Sequence, residues 1–531
     1  MRDTTDNYTW YVPKAAVNRY KSSPGYRTIP HILPMQEDPQ ELWAYRGLVQ
    51  FDDNTKPHNK PALYAFLNYD PGYYINTGDD YQSSIEVEGT QNMSLSKYEH
   101  LIRNTSYALN TYRNSEFMPT LISNSPMTAD HVVTYYYTNQ TEIFYWPMLC
   151  FPYDIRPSDI TGDFRYCVAT ARRYDGARRA ANGVVQNSNH GEITNWKNVG
   201  NGETISAGEG FILSAFVPYE SEKHLLKLPA VENDRRNGIF ATSRTITLKD
   251  YPSARSEDRG WNLVGNAYPA FYDMSESDIA TPYIVWGTQT LGNQTSYHYF
   301  VFTRDDDDFL LQPFQGFFVQ YTNTQHEIHL PGSGRYHGYQ DFKDRRPTKA
   351  PRLSDADALV RHLFDIELTG CDQYDRTRVV LNEEASTDFE PTCDATQIPV
   401  TDASLLCTID GGRRYAINER PMPQGSITMG LDIAIEGDYT LSLGKTNSRG
   451  ITLTDNDTGR VTRLDEGDYT FHVTAGRHDA RFTLSFEGLT HIGDFTLRRP
   501  ASILYDLQGR PVTGTPTKGI YIQNGKKVVI R

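Results

Sequence analysis

The residues best suited to chemistry are few and scattered along the chain. Asp455, Asp457 and Gly459 begin like an EF-hand loop, and Glu466 falls at the twelfth place, where a bidentate carboxylate would complete the oxygen shell around calcium. The fifth place is Gly459 and no helical pattern flanks the loop, so Asp455-Asn-Asp-Thr-Gly459 is expected to turn a hairpin between residues 451–454 and 461–464. Arg304-Asp-Asp-Asp-Asp308 is the densest acidic run; four consecutive acids cannot all face one ion, so a solvated turn is expected there. The 5 cysteines, Cys150, Cys167, Cys371, Cys393 and Cys407, include no Cys-x-x-Cys and no partnered His pair at zinc spacing. They read as small buried apolar groups, with a Cys150–Cys167 disulfide as the alternative that export would permit.

No nucleophile elbow, phosphate loop, dinucleotide glycine fingerprint or zincin helix occurs. No catalytic, cofactor-binding or metal-ligating residue is therefore assigned, no cofactor is expected, and the chain is read as a non-enzyme. The aromatic clusters Tyr135-Tyr-Tyr137, Phe144-Tyr-Trp146 and Tyr297-His-Tyr-Phe300 suit either of two roles, stacking sugar rings on an exposed face or packing a core.

The elements that must position these groups are mostly strands. Short β-branched and aromatic runs, such as those at 131–137, 244–248 and 469–473, alternate with Gly, Asn, Asp and Pro clusters. The expected fold class is mainly β, with several antiparallel β-sandwich or barrel-like domains in tandem and at most one or two helices in the N-terminal region. Helical spacing shows around residues 94–112, where Leu95, Tyr98, Leu101, Ile102, Tyr107 and Leu109 could share a face.

A length of 531 residues exceeds one hydrophobic core and implies several domains. Residues 1–128 carry no repeat and stay unassigned, with the true amino terminus expected to be missing. Residues 129–331 hold two stretches that echo one another. Each opens on a Trp-led strand that meets a proline (Trp146, Trp261), passes through Ser-Asp-Ile (158–160, 277–279) and closes on a glycine followed by an aromatic (Gly210-Phe211, Gly316-Phe317). Glycine, proline and basic residues mark 332–356 as an exposed linker. Alternating runs with regular turns predict a β-sandwich over 357–487, and 488–531 forms a separate end-piece.

That end-piece carries Ile503-Leu-Tyr-Asp-Leu-Gln-Gly-Arg, then Gly519-Ile-Tyr-Ile, then Lys526-Lys-Val-Val-Ile. It resembles the C-terminal sorting domain of type IX secretion system cargo in Bacteroidetes, through Asp506, Gly509, Gly519, Tyr521, Lys526 and Lys527. The resemblance implies export across the outer membrane, recognition of this domain by the secretion translocon, and a cell-surface or extracellular location. The segment before it, and the Gly260-Trp-Asn-Leu-Val-Gly-Asn and Gln315-Gly-Phe-Phe motifs, are similar to modules of Bacteroidetes surface proteins.

The function expected from this reading is a non-catalytic surface or secreted protein that acts by binding or display, with an extracellular glycan or protein as ligand. The alternatives are the non-catalytic C-terminal part of a larger surface hydrolase and a glycan-binding adhesin. A net charge of -14 opposes nucleic-acid binding. No run of apolar residues is long enough for a transmembrane segment, and residues 1–8 lack the pattern of an N-terminal signal peptide.

Overall fold

The computed structural model describes residues 146–162, 168–184, 195–216, 225–231, 241–291, 294–304, 306, 309–338, 361–422, 425–486 and 488–497, with short segments elsewhere, including strands in the N-terminal part and 519–523 and 526–530. It is mainly β, built of several antiparallel sheets and one nearly closed, barrel-like sheet. Among the described residues no helix is long and apolar enough to cross a membrane.

The two echoing stretches share one strand order. The first contains β1 (Met148–Cys150), β2 (Val168–Tyr174), helix α1 (Gly176–Asn182), β3 (Trp196–Asn198) and β4 (Gly210–Phe216). They pair in the order β3-β2-β4-β1. The second follows β5 (Ser243–Thr247) and contains β6 (Trp261–Gly265), β7 (Tyr283–Leu291), β8 (Gln294–Phe302) and β9 (Gly316–Gln320), in the order β8-β7-β9-β6. The registers correspond: Met148 faces Ile212 as Leu263 faces Phe318, and Cys150 faces Gly210 as Gly265 faces Gly316. A last strand, β10 (Glu327–Pro331), pairs with β5 and packs Ile328 and Leu330 into the core of the second unit.

The two units meet through these glycines, and the contact is reciprocal. A Cβ on Gly210 would lie 2.7 Å from the backbone of Leu263, and one on Gly316 would lie 3.0 Å from Cβ of Met148, the residue equivalent to Leu263. Each glycine thus lets the Trp-led strand of the other unit approach to backbone distance. Met148 and Ile212 of the first unit and Leu263, Ile284 and Phe318 of the second share one buried cluster.

Residues 361–497 form a 12-stranded sheet. Ten of its strands run in the order Val461–Arg463, Thr452–Asp455, Gly476–Ser485, Ser426–Ile433, Leu405–Asp410, Arg413–Pro421, Gln373–Asn382, His362–Gly370, Gly437–Arg449 and Tyr469–Val473; the pair Gln373–Asn382 with Arg413–Pro421 is parallel, and Ala395–Thr396 joins at Arg413–Pro421. The two end strands are consecutive in sequence, and Leu464, just after the first, shares one core with Tyr469, Phe471 and Val473 of the last, so the sheet curls almost to closure. Thr490–Leu497, taken from sequence as part of the end-piece, pairs with Gly437–Arg449 and belongs to this sheet.

Several expectations change. Met93–Arg103, spaced like a helix, is a strand parallel to Met127–Tyr137; tertiary pairing overrides the local pattern, and residues 104–112 lie outside the described residues. Gly334, Arg335 and Tyr336, placed in the linker by composition, are buried, and Tyr336 pairs with Phe271. Asp306 is no solvated acid: it is buried and accepts from Thr303 N at 2.7 Å, while Asp305, Asp307 and Asp308 lie outside the described residues.

Asp306 belongs to a four-member ionic group joining the second unit to the 12-stranded sheet. Arg378 donates to Asp365 at 2.6 and 2.9 Å and to Asp306 at 2.7 and 3.0 Å, and Arg376 donates to both carboxylates at 3.1 Å. Two guanidinium groups balance two carboxylates, which makes desolvation tolerable.

Two predictions follow from these contacts. Gly210→Ala is expected to destabilise the chain by about 1–3 kcal/mol in chemical denaturation, whereas Gly202→Ala, with open space around it, leaves stability unchanged. Removing one member of the ionic group, as in Asp306→Ala, is expected to cost about 3–5 kcal/mol. The adjacent arginines hold the Asp306 carboxyl well below its ordinary range, so its contribution is present above about pH 4 and lost as pH falls.

Candidate functional site

A cleft of about 770 Å³ opens where the two units meet. One wall is the turn Ser206 to Gly210 with Arg173 and Tyr174 from the end of β2; the other is β5, with Lys249 and Tyr251 beyond it, and β6 forms the floor. The amides of residues 206–209 in the turn wall are bonded within the first unit. Ala207 N donates to Asp154 Oδ1 (2.8 Å), Ser206 N to Glu209 Oε2 (3.0 Å), Gly208 N to Phe151 O (2.8 Å) and Glu209 N to Ser206 O (3.0 Å).

The floor is also closed. Asn266 N donates to Gln315 O and Tyr321 N to Gly260 O, which sets the alternation of β6 against β9. Trp261 and Leu263 therefore turn their backbone groups away from β9, and there they meet the other unit. A Cβ on Gly176 would stand 2.5 Å from Trp261 O, and one on Gly210 would stand 2.7 Å from Leu263 O. Asp175 caps α1 and brings Gly176 to this position, accepting from Ala177 N and Arg178 N at 3.1 Å.

β5 differs. All five of its residues line the cleft and none from its partner β10 does, so the cleft runs along the side of β5 that has no strand partner among the described residues. Leu248 N donates to His326 O (2.8 Å), so Arg244 and Ile246 exchange bonds with β10 while the N–H and C=O groups of Ser243, Thr245 and Thr247 point away from it. The partner strand agrees: His329, opposite Thr245, donates its N–H to Asp278 Oδ1 instead (2.6 Å). Asn262 pins the far end, its side chain bonding both Lys249 N and Lys249 O at 2.9 Å.

The charges of the lining are mostly positive: Arg173, Arg244 and Lys249 against Glu209, among the described residues. Glu209 pairs with Arg173 at 3.4 Å. Arg244 and Arg335 both lie over the Tyr268 ring, at 4.9 and 5.3 Å from its centroid. Burial lowers the Arg244 guanidinium to about 10, so it stays charged at neutral pH.

The chain matches, over residues 182–486, the family described as a domain of unknown function (DUF8693). It belongs to that family. No curated protein matches the chain. The DUF8693 segment takes in β3 to β10 and most of the 12-stranded sheet, hence Glu209, Arg244, Lys249 and Trp261; Arg173 and Tyr174 precede it.

The residues singled out from sequence lie elsewhere. Asp455 is committed within its hairpin, accepting from Tyr469 Oη (2.6 Å) and Arg481 (2.9 Å), and no group of three or more His, Cys, Asp or Glu among the described residues could hold a metal. Cys150 is a free thiol, pushed up to about 12 by burial, so the Cys150–Cys167 bond is not formed; Cys167 itself lies outside the described residues. Among the described residues, the aromatic clusters offer no open platform. Tyr135, Tyr136 and Phe300 are buried, Trp146 lies beneath Arg172, and Tyr299 packs on Trp286 under Val400 and Leu405. Phe144, Tyr145 and the Tyr137 side chain lie outside the described residues.

In the tail, Gly519–Gln523 and Lys526–Ile530 form an antiparallel hairpin that pairs Tyr521 with Val528 and Ile522 with Lys527; Asp506 and Gly509 lie outside the described residues. Sequence reasoning marked 244–248 as a strand but missed its open edge. The available signal was Arg244 and Lys249 at its ends, since edge strands commonly carry basic residues.

One titration near the interface is testable. Asp375, which accepts from Leu406 N at 2.7 Å, is raised to about 7 by burial. A carboxyl raised in the folded state contributes stability below about pH 4 that is lost as pH rises through 7. Asp375→Asn is therefore expected to raise the melting temperature relative to the parent at pH 8 and to leave it nearly unchanged at pH 4.

Proposed function

We propose that this DUF8693 protein is exported to the cell surface and acts there without catalysis, binding an extracellular ligand in the cleft between its two repeated units. The observation that carries the binding reading is the cleft itself: both units build it, and one wall presents backbone groups that β10 does not take up, beside Arg244 and Lys249. Its single described carboxylate, Glu209, is engaged by Arg173, which supports binding over acid–base chemistry.

The export reading rests on the tail. Gly519, Tyr521, Lys526 and Lys527 fall in a short antiparallel hairpin, a form suited to recognition by a translocon. The order Asp506, Gly509, Gly519, Tyr521, Lys526, Lys527 resembles the type IX sorting pattern.

The test is export of residues 1–531, fused to a cleavable leader, in a Bacteroidetes host with type IX secretion, compared with a chain ending at Leu497. Ending there keeps Thr490–Leu497 in its sheet, so folding is spared. The full chain is expected to be cut by protease added to intact cells, and the truncated chain to stay in the periplasm. Equal surface exposure of both would contradict the export reading.

A further inference from the structure

We infer that the ligand of this cleft is an extended acidic peptide segment, which adds to β5 as a further strand. The inference rests on reading the cleft as a binding site and names what it takes.

Three features of the lining select this ligand. The outward N–H and C=O groups of Ser243, Thr245 and Thr247 repeat along the cleft at strand spacing, which only another extended backbone matches group for group. Neither other wall competes, because the amides of residues 206–209 are already bonded within the first unit and the outward carbonyls of Trp261 and Leu263 lie against Gly176 and Gly210. The charge of the lining, three cations against one carboxylate among the described residues, favours acidic side chains on the incoming strand, in a chain whose own net charge is -14.

A saccharide fits less well. Stacking a sugar needs a free aromatic face, yet the Tyr174 ring packs edge-on against Trp196 and Phe318 at 5.1 and 4.5 Å, and the Tyr251 ring lies against Gly176. Trp261 is buried, and its Nε1 donates to Glu257 O at 2.8 Å.

The geometry supplies a selective variant. Thr245 uses neither N–H nor C=O to pair with β10, so Thr245→Pro removes an outward donor at an edge position where proline is tolerated. Thr245→Val is its control, since it loses the hydroxyl contact to His329 but keeps the backbone donor.

The experiment uses the full chain, fluorescence anisotropy and three labelled probes: a ten-residue peptide of alternating Glu and Val, its Lys and Val counterpart, and an oligogalacturonate. The acidic peptide is expected to bind, with affinity lowered at least about tenfold by Thr245→Pro, several-fold by Lys249→Glu, and little by Thr245→Val. Circular dichroism melting confirms that each variant is folded. The inference is overturned if the basic peptide binds as tightly, if folded Thr245→Pro binds the acidic peptide like the parent, or if no peptide binds. Binding of oligogalacturonate alone, weakened by Lys249→Glu, overturns the strand reading while leaving the cleft as a ligand site.

Discussion

Everything about the cleft depends on how closely the two repeated units approach. Gly210 and Gly316, at equivalent places in their sheets, let the Trp-led strand of each unit come to backbone distance of the other. A single methyl group at Gly210 would collide with Leu263 and push the first unit away from β6. With the approach intact, the outward backbone of β6 is covered by Gly176 and Gly210, while that of β5, one layer away, is left facing the gap. The open edge is thus a consequence of symmetry broken by α1 and by the 206–210 turn, which cover one strand edge and stop short of the next.

The remaining domain is attached by different physics. Between the second unit and the 12-stranded sheet, the contact centres on Asp306, Asp365 and Arg378, all buried, with the partly exposed Arg376 completing the charge balance. Such a group gives little net attraction but penalises any shifted arrangement, because displacement would strand an unpaired charge. Apolar contacts around it, Ile398 on the shared cluster and Val400 and Leu405 on Trp286 and Tyr299, supply the adhesion. This packing turns the Tyr297–Phe300 region, which in sequence suits a ligand platform, into an interface.

Much of this was readable along the chain, for physical reasons that also mark where reading stops. The β character follows from alternation, seen in β5 where Ser243, Thr245 and Thr247 are exposed and Arg244 and Ile246 are half-buried. The repeat shows because a Trp-led strand and a Gly-aromatic pair each have a distinct steric task. Pairings between distant residues do not show: Asp306 looks like any acid in a run until Arg378, 72 positions later, is brought against it. The strand at Met93–Arg103 was misread because Leu, Tyr and Ile spacing fits either period, and only the parallel partner Met127–Tyr137 decides. The cleft was invisible because it is defined by which edges stay unpaired, a property of the assembled sheets.

The central claim is that, among the described residues, one side of β5 is open to a partner while the other is closed by β10. Amide hydrogen exchange of the free, full-length chain, resolved residue by residue, tests this most directly. The account predicts slow exchange at Arg244 and Ile246, bonded to β10, and fast exchange at Ser243, Thr245 and Thr247. Uniform protection of all five amides would mean that the edge is already covered, and would contradict the account.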